Sequence, residues 1–293
     1  MQSPTNQLPL VHRTFVNSWE CDENRHWNVQ FYYRAFQQAS ELLALEVSGQ
    51  NPGARTAIVR HVRYHRELAE GRPVGVWSGV VGDGEMAGSV VHLLLDLEAG
   101  SLAATALDQP GYRAQGATVI SAESVAQAIP RGVKPGPQPP VDTAPLLQGG
   151  QALMANSSVV RSFETGPDGD LLSNAIVSRF TDGAPHLWTH AGIDTRWLQE
   201  ANHGRVAVEM KMTRLNPARE GQALRLVSWV DAMNEKTMSI SHQLEEVGTC
   251  LAIATGQVIA LVMNLETRKS VPMPRSVIEA FEKQMGDSAN RVQ

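Results

Sequence analysis

The sequence predicts an α+β protein made of two copies of one unit, each a long helix wrapped by an antiparallel β-sheet. Three observations support this prediction: a long amphipathic helix in the first half, β-rich runs after it, and an internal repeat in the second half. Six prolines within residues 130–145 separate the halves with a segment that favours an extended, semi-rigid connector. We therefore expect domains over residues 1–129 and 151–293, joined by a Pro-rich linker over residues 130–150.

Composition excludes several classes of protein. The 293 residues carry a formal net charge of −5 and show no basic run, which argues against a nucleic-acid or anionic-membrane surface. Cys21 and Cys250 are far apart and have no metal-ligand spacing, so we expect neither a disulfide framework nor a bound metal. The N-terminal residues lack the features of a signal peptide, and no apolar run approaches the ~20 residues of a membrane span. We expect a cytoplasmic protein.

Residues 28–47 predict the long amphipathic helix of the first half. Apolar side chains recur there at intervals of three and four residues, which places them on one face of a helix. The segment SGQNPG, at residues 48–53, ends this pattern. The predicted buried face consists of Val29, Tyr32, Tyr33, Phe36, Ala39, Leu43 and Val47.

Four β-rich runs follow, at residues 56–68, 73–82, 86–98 and 101–109. The short segments between them are rich in glycine and charged residues, which is typical of turns between antiparallel strands. The first half is therefore predicted to be a helix followed by a four-stranded meander.

The second half repeats this pattern. Residues 57–106 and 207–256, compared without gaps, share eleven identities in fifty positions, where chance would give about three. His92 and His242 coincide in this alignment, as do turn glycines. Pairing two such units edge to edge would protect the exposed strand edge of each. We predict an internal pseudo-dimer, and whether two chains pair further into a homodimer stays open.

The polar segment ECDENRHWN, at residues 20–28, immediately precedes the predicted helix. Asp22, His26 and Asn28 form a D-x-x-x-H-x-N motif within it. This motif, followed by a long helix and an antiparallel sheet, resembles the hotdog-fold acyl-CoA thioesterases of the 4-hydroxybenzoyl-CoA thioesterase type. Arg25 stands where that family usually has a glycine. The resemblance implies a tandem double hotdog.

Three further segments resemble the thioesterase modules associated with carnitine and betaine catabolism. They are RHVRYHREL at residues 60–68, VVHLLL at 90–95 and LAATALDQ at 102–109. The carboxylate that often follows ATA in these modules is replaced by Leu107, with Asp108 next. The resemblance covers nearly all of residues 10–125 and is weaker over residues 151–270.

This resemblance implies hydrolysis of an acyl-CoA thioester to a free acid and CoA, without a cofactor. The reaction needs an activated water, stabilisation of an oxyanion and a pocket for the acyl chain. Asp22 is the predicted general base or, alternatively, a nucleophile that forms a mixed anhydride. Free N–H groups at the helix start near Asn28 would stabilise the oxyanion, with His26 and Asn28 orienting the reacting groups. A plain helix N-cap is the alternative role for Asn28.

Four more residues are predicted to contact substrate: Trp27, His61, Tyr64 and His92. Side chains alternate along a strand, so His61 and Tyr64 point to opposite faces and only one face can line the site. For His92 and the aromatic residues, core packing is the alternative. If the acyl group carried a quaternary ammonium, Trp19 and Trp27 would form a cation–π cage.

The second half retains only part of the motif. Asp168 and Asn174 are six residues apart, as Asp22 and Asn28 are, but Leu172 replaces the histidine. This predicts one working site and one degenerate copy. A simple turn role is the alternative for Asp168, since Asp and Gly favour turns.

Two other functions compete with hydrolysis. An R-specific enoyl-CoA hydratase also uses a double hotdog, but its D-x-N-P-x-H motif would need proline at Arg25 and a histidine one residue after His26. The other alternative is a non-catalytic acyl-thioester binder. Acyl-chain specificity and the choice between CoA and acyl-carrier protein stay open. Phosphate-loop and serine-hydrolase motifs are absent from the sequence.

Overall fold

A computed structural model describes residue 5 and residues 7–51, 53–110, 112 and 114–291. Each half contains a long helix and an antiparallel set of strands, as predicted. The first half consists of β1 (Leu10–Phe15), α1 (Val29–Ser48), β2 (Ala57–Tyr64), β3 (Pro73–Val81), β4 (Val90–Asp96), β5 (Ser101–Pro110) and β6 (Val119–Ile120). The second half and the segment before it consist of α2 (Ala144–Gln148), β7 (Ala152–Val159), α3 (Ser173–His190), α4 (Thr195–Glu200), β8 (His203–Arg214), β9 (Ala223–Met233), β10 (Met238–Glu246), β11 (Ala252–Asn264), β12 (Ser270–Val271) and α5 (Arg275–Arg291).

The strands form one continuous sheet in the order β1-β3-β4-β5-β2-β8-β11-β10-β9-β7. The halves join where β2 pairs antiparallel with β8, from Val59 opposite Thr213 to Arg63 opposite Glu209. This edge-to-edge pairing confirms the predicted double hotdog. In the described chain, each half also has a strand before its helix, β1 or β7, which was not predicted. Both are edge strands with many partly exposed residues, so their sequences lack a strong apolar pattern.

The helices α1 and α3 lie against the same face of the sheet and contact each other. The predicted apolar face of α1 is buried at Tyr32, Tyr33, Phe36, Ala39 and Leu43. One hydrophobic core extends through both halves, because it includes buried side chains from α1, α3 and the central strands of each. This arrangement brings the start of α1 close to the second half.

Equivalent residues of the two halves are separated by one offset in residue number in the strands and by another in the helices. Arg60 pairs with Asp108 across β2 and β5, and Met210 pairs with Val258 across β8 and β11, which is an offset of 150. For the helices the offset is 144, because Phe36 packs on His92 as Phe180 packs on His242. The difference of six residues reflects unequal connections between helix and sheet.

The predicted Pro-rich linker is a strap against the outer face of the sheet. Its backbone N–H groups at residues 131, 132 and 133 donate to the Glu209 carboxylate, and the Gln138 N–H donates to Thr213. Prolines leave few N–H groups to satisfy, and strand side chains accept these. The short helix α2 lies at the end of the predicted linker, before β7.

None of the helices in the described residues is long and apolar enough to cross a membrane.

Candidate active site

Asp22 lies in a tight turn just before α1. Its Oδ1 accepts hydrogen bonds from the backbone N–H groups of Asn24 (2.8 Å) and His26 (3.1 Å). Within the described residues Oδ2 has no hydrogen-bond partner, and the side chain lines two adjacent cavities. Burial raises the pKa of Asp22, although the two backbone hydrogen bonds act in the opposite direction. The carboxylate is therefore fixed through one oxygen and free at the other.

Asn28 caps α1. Its backbone is extended, and its Oδ1 accepts the Gln30 N–H at 3.1 Å and the Thr181 hydroxyl at 3.5 Å. The N-cap alternative is thus correct for this oxygen, but Asn28 also lines the smaller cavity beside Asp22. The N–H of Val29, the first helical residue, donates to no acceptor in the described part of the chain. A free N–H group at a helix start attracts negative charge.

His26 lies beside the same turn, but its imidazole does not hydrogen-bond to the Asp22 carboxylate. Its Nδ1 is 3.5 Å from Glu67, and Glu67 in turn pairs with Arg268 from the segment between β11 and β12. Burial lowers the pKa of His26, with Asp22 opposing this and Arg268 contributing to it. The imidazole lines the larger cavity.

The two cavities meet at Asp22 and differ in character. The smaller, of about 130 Å³, lies between α3 and the second half of the sheet, with walls that include Phe180, Met210 and Val258. The larger, of about 630 Å³, is lined by aromatic and charged side chains. Asp22, Val29, Arg205, Val206 and Ala207 line both. A group entering the smaller cavity through the larger one would pass the carboxylate.

Arg205 is a site residue that the sequence did not indicate. It lies on β8 of the second half, its Nη2 pairs with Glu23 at 2.8 Å, and its buried Nη1 has no partner. The internal repeat contained a weak signal, since Arg55 occupies the equivalent position in the first half and pairs with Asp170. An unpaired buried guanidinium nitrogen beside the carboxylate can bind an anionic or carbonyl oxygen.

Two of the predicted substrate contacts lie at the larger cavity. Trp27 is 2% exposed, its indole N–H donates to Glu20 at 2.8 Å, and its ring packs on Tyr32. Tyr64 packs edge-on against Tyr32, and its buried hydroxyl has no partner. Trp19, by contrast, is 78% exposed. Trp27 and Tyr64 thus combine core packing with a place in the cavity wall, while the cage of Trp19 and Trp27 stays a prediction.

His61 lies away from both cavities, which corrects its predicted place in the site. It points to the outer face of the sheet, where its Nε2 is 2.6 Å from Glu209, the residue that holds the linker. Hydrogen bonds from His61 and the linker N–H groups lower the pKa of Glu209 to about 2, against burial. His61 therefore has a structural role.

His92 is also away from the cavities, in the core of the first half, so the core-packing alternative is correct. Its Nδ1 is 2.6 Å from Ser78, and its Nε2 is 3.0 Å from Ser40 and 3.1 Å from Asp108. Arg60 completes this cluster with two hydrogen bonds to Asp108 of 2.7 and 2.6 Å. Burial lowers the pKa of His92. The cluster leaves His92 no free polar atom for substrate.

The start of α3 lacks the site residues, and the predicted counterparts of Asp22 and Asn28 are wrong. The backbone hydrogen bond from residue 22 to 26 recurs from Gly166 to Asp170, and that from Asn28 to Glu20 recurs from Leu172 to Glu164. The counterparts of Asp22, His26 and Asn28 are therefore Gly166, Asp170 and Leu172. Asp168 accepts the Ala54 N–H, and Asn174 lies inside the helix. This copy has no carboxylate in the position of Asp22.

Among the described residues, no group of three or more His, Cys, Asp or Glu side chains is arranged to hold a metal ion.

Comparison with known proteins agrees with this fold. A family model described as the thioesterase-like superfamily matches residues 16–127 and 153–281. The chain therefore belongs to the thioesterase-like superfamily, in which each half is one hotdog domain. No curated protein matches the chain by sequence.

Solved structures with two such domains are similar over most of the chain. An acyl-ACP thioesterase from Bacteroides thetaiotaomicron VPI-5482 aligns with a TM-score of 0.59 and 9% identity, covering 89% of this chain and 100% of its own. The 12:0-ACP thioesterase from Umbellularia californica gives a TM-score of 0.52 and 14% identity, covering 85% and 92%. At these identities the likeness establishes the fold.

Proposed function

We propose that this protein hydrolyses acyl-CoA thioesters at one site, with Asp22 as the general base. The observation that carries the proposal is a buried carboxylate with a free Oδ2, placed beside the start of α1 where two cavities meet. Family membership supports a thioesterase in general. The choice of Asp22 and of CoA rests on the geometry.

Water activation follows from the surroundings of Asp22. The two N–H donors hold Oδ1, so Oδ2 is available to accept a proton from a water molecule in the cavity. Burial raises the pKa of the carboxyl, which makes it a stronger base than an exposed aspartate. His26 and Glu67 border the larger cavity and would orient the water or the thioester there.

Oxyanion stabilisation follows from the start of α1. The Val29 N–H has no protein acceptor in the described chain and lines both cavities, so it can donate to the thioester oxygen as negative charge develops. Asn28 and Arg205 Nη1 provide further donors beside it. The helix dipole favours negative charge at this end.

The substrate fits in a defined direction. The smaller cavity has mostly apolar walls and takes the acyl group. The larger cavity contains Arg66, Arg205 and Arg268, whose positive charges complement the phosphates of CoA. Because the similar structures include acyl-ACP thioesterases, the same thioester on a carrier protein is the alternative substrate.

Thiol release from matched acyl-CoA and acyl-ACP substrates tests this proposal, with wild type and Asp22→Asn measured in parallel. We expect turnover of acyl-CoA and a fall in kcat/KM of at least ~100-fold in Asp22→Asn, which keeps the acceptor for the turn but cannot accept a proton. Asp168→Asn is the matched control, because it makes the same change at an aspartate of the second half that lines neither cavity. Equal losses in both variants, or no thiol release from any substrate, would reject the proposal.

A further inference from the structure

The interiors of the two halves differ at three equivalent positions. In the first half, Ser40, Arg60 and Asp108 fill the space between α1 and the sheet with a hydrogen-bonded cluster. At the offsets given above, the second half has Ala184, Met210 and Val258 in these places. All three of these side chains line the smaller cavity. The cavity thus occupies the space that polar side chains fill in the first half.

A buried histidine and its serine partner are retained in both halves. His92 and His242 each place Nδ1 against a serine hydroxyl, at 2.6 Å from Ser78 and 2.7 Å from Ser228. In the first half the other ring nitrogen is bound by Ser40 and Asp108. In the second half these partners are missing, and within the described residues the Nε2 of His242 has none.

His242 forms part of the inner wall of the cavity. The residue is 1% exposed, its ring stacks on Phe180 with centroids 4.8 Å apart, and it lines the same cavity as Asp22. Glu23, which is exposed, and Arg205, which is partly exposed, also line this cavity and mark its solvent-facing side. An acyl group whose thioester is at Asp22 therefore extends towards His242.

The chemistry of His242 restricts what it can bind. Burial lowers its pKa to about 3, so the imidazole is neutral at physiological pH. Nε2 is then a donor or an acceptor, depending on the tautomer that Ser228 selects. A hydroxyl group suits either case because it both donates and accepts. A charged group would lose its hydration among apolar walls without gaining an opposite charge.

We infer that the Nε2 of His242 is a specificity determinant that binds a hydroxyl group near the far end of a short acyl chain. The preferred substrates are then hydroxyacyl thioesters rather than plain fatty acyl thioesters of equal length. This inference rests on the proposed hydrolysis at Asp22. A substrate hydroxyl at the Nε2 of His242 would take the place that Ser40 and Asp108 take at the Nε2 of His92.

The test compares hexanoyl-CoA with 5-hydroxy- and 6-hydroxyhexanoyl-CoA in a thiol-release assay. For wild type we expect kcat/KM to be about 10-fold higher for at least one hydroxylated substrate, as one hydrogen bond to an otherwise unpaired buried group provides. His242→Phe keeps a ring against Phe180 but has no nitrogen, and should abolish the preference, measured as the ratio of kcat/KM between hydroxylated and plain substrates. His242→Leu serves as a second apolar variant if the first fails to fold.

Ile240→Val is the matched control, because it alters the same cavity wall without a change in polar groups. It should change all three rates by a common factor and keep the preference. An equal kcat/KM for plain and hydroxylated substrates in wild type, or a preference that persists in His242→Phe, would overturn the inference and leave hydrolysis intact.

Failure of the proposed function would give a different result, namely no thiol release from any of the substrates. Binding of non-hydrolysable thioether analogues would then be measured by calorimetry. A hydroxyl preference in binding that His242→Phe removes would still support the inference, and its absence would overturn it.

Discussion

Asp22 must be ionised to act as a base, and its surroundings favour the protonated form. Burial is the largest influence on its pKa and raises it, while the N–H groups of Asn24 and His26 lower it. We predict that kcat/KM falls as the pH decreases through this raised pKa, so the acidic limb of the pH profile lies above the usual aspartate range. Initial rates across the acidic range measure this. A flat profile down to the pKa of an ordinary aspartate would contradict the assignment.

Arg25 shows how the turn keeps its shape with an unusual residue. Arg25 has a φ of 61°, in the left-handed region that glycine favours. The turn holds because the Arg25 N–H donates to the Asp22 carbonyl and the Asp22 side chain accepts the N–H groups on either side of it. Arg25 therefore adopts a left-handed backbone at a cost in stability.

We predict that Arg25→Gly is more stable than Arg25→Ala by about 1 kcal/mol. Both variants remove the same charge, so the difference between their free energies of unfolding reflects the left-handed backbone. That backbone costs a residue with a Cβ roughly 1–2 kcal/mol, and the greater flexibility of glycine in the unfolded chain offsets part of this difference. Urea denaturation measures the two free energies of unfolding. Equal or greater stability of the alanine variant would show that the turn is not strained.

The sequence predicted those site residues that are close to one another along the chain. Asp22, His26 and Asn28 lie within seven residues, so the start of one helix brings them together. Arg205 was not predicted, because it reaches the site from the other half through the pairing of β2 with β8. His61 was placed wrongly because strand alternation shows that two faces exist without showing which one meets the cavity.

The strands β2 and β5 carry a buried ion pair that their counterparts in the second half lack. Arg60 is fully buried and binds Asp108 through two hydrogen bonds, whereas β8 and β11 have Met210 and Val258. A buried pair of this kind is compatible with stability only while both partners are present. The second half shows that the fold accepts apolar residues in the same place.

We predict that Asp108→Val alone destabilises the protein by about 3–5 kcal/mol, because it leaves a buried, unpaired guanidinium. The double variant Arg60→Met, Asp108→Val copies the second half and should recover most of this loss. Chemical denaturation of wild type and the three variants, including Arg60→Met, measures the coupling. Additive losses in the double variant would contradict this account.

The sequence predicted the helix and the strands of this region but not the contacts between their buried polar side chains. The long helix and the meander followed from periodicity over neighbouring residues, and the repeat followed from identities between residues 57–106 and 207–256. Ser40, Arg60 and Asp108 are distant in sequence and meet only through helix–sheet packing. Their replacement by Ala184, Met210 and Val258 becomes visible once the offsets of 150 and 144 are known. The alignment at offset 150 pairs Arg60 with Met210 but cannot pair Ser40 with Ala184. Asp168 and Asn174 were assigned to Asp22 and Asn28 at an offset of 146, two residues from the true offset of the helices.

Across the whole molecule, both halves contribute residues to the proposed site. The first half supplies Asp22, His26, Asn28 and the free N–H at the start of α1, and the second half supplies Arg205 and the walls of the smaller cavity. The equivalent place in the second half, at the start of α3, lacks the motif residues. Its acyl space is filled by the cluster around Arg60. One competent site per chain is the central claim of this account.

The stoichiometry of ligand binding tests that claim most directly. S-hexyl-CoA, a thioether that cannot be hydrolysed, would be titrated into the full-length protein in an isothermal calorimeter. We predict one ligand bound per chain, because the described start of α3 has no carboxylate in the position of Asp22 and the cluster around Arg60 fills the space that corresponds to the smaller cavity. Two equivalent ligands per chain would contradict the claim and show that both halves retain a working pocket.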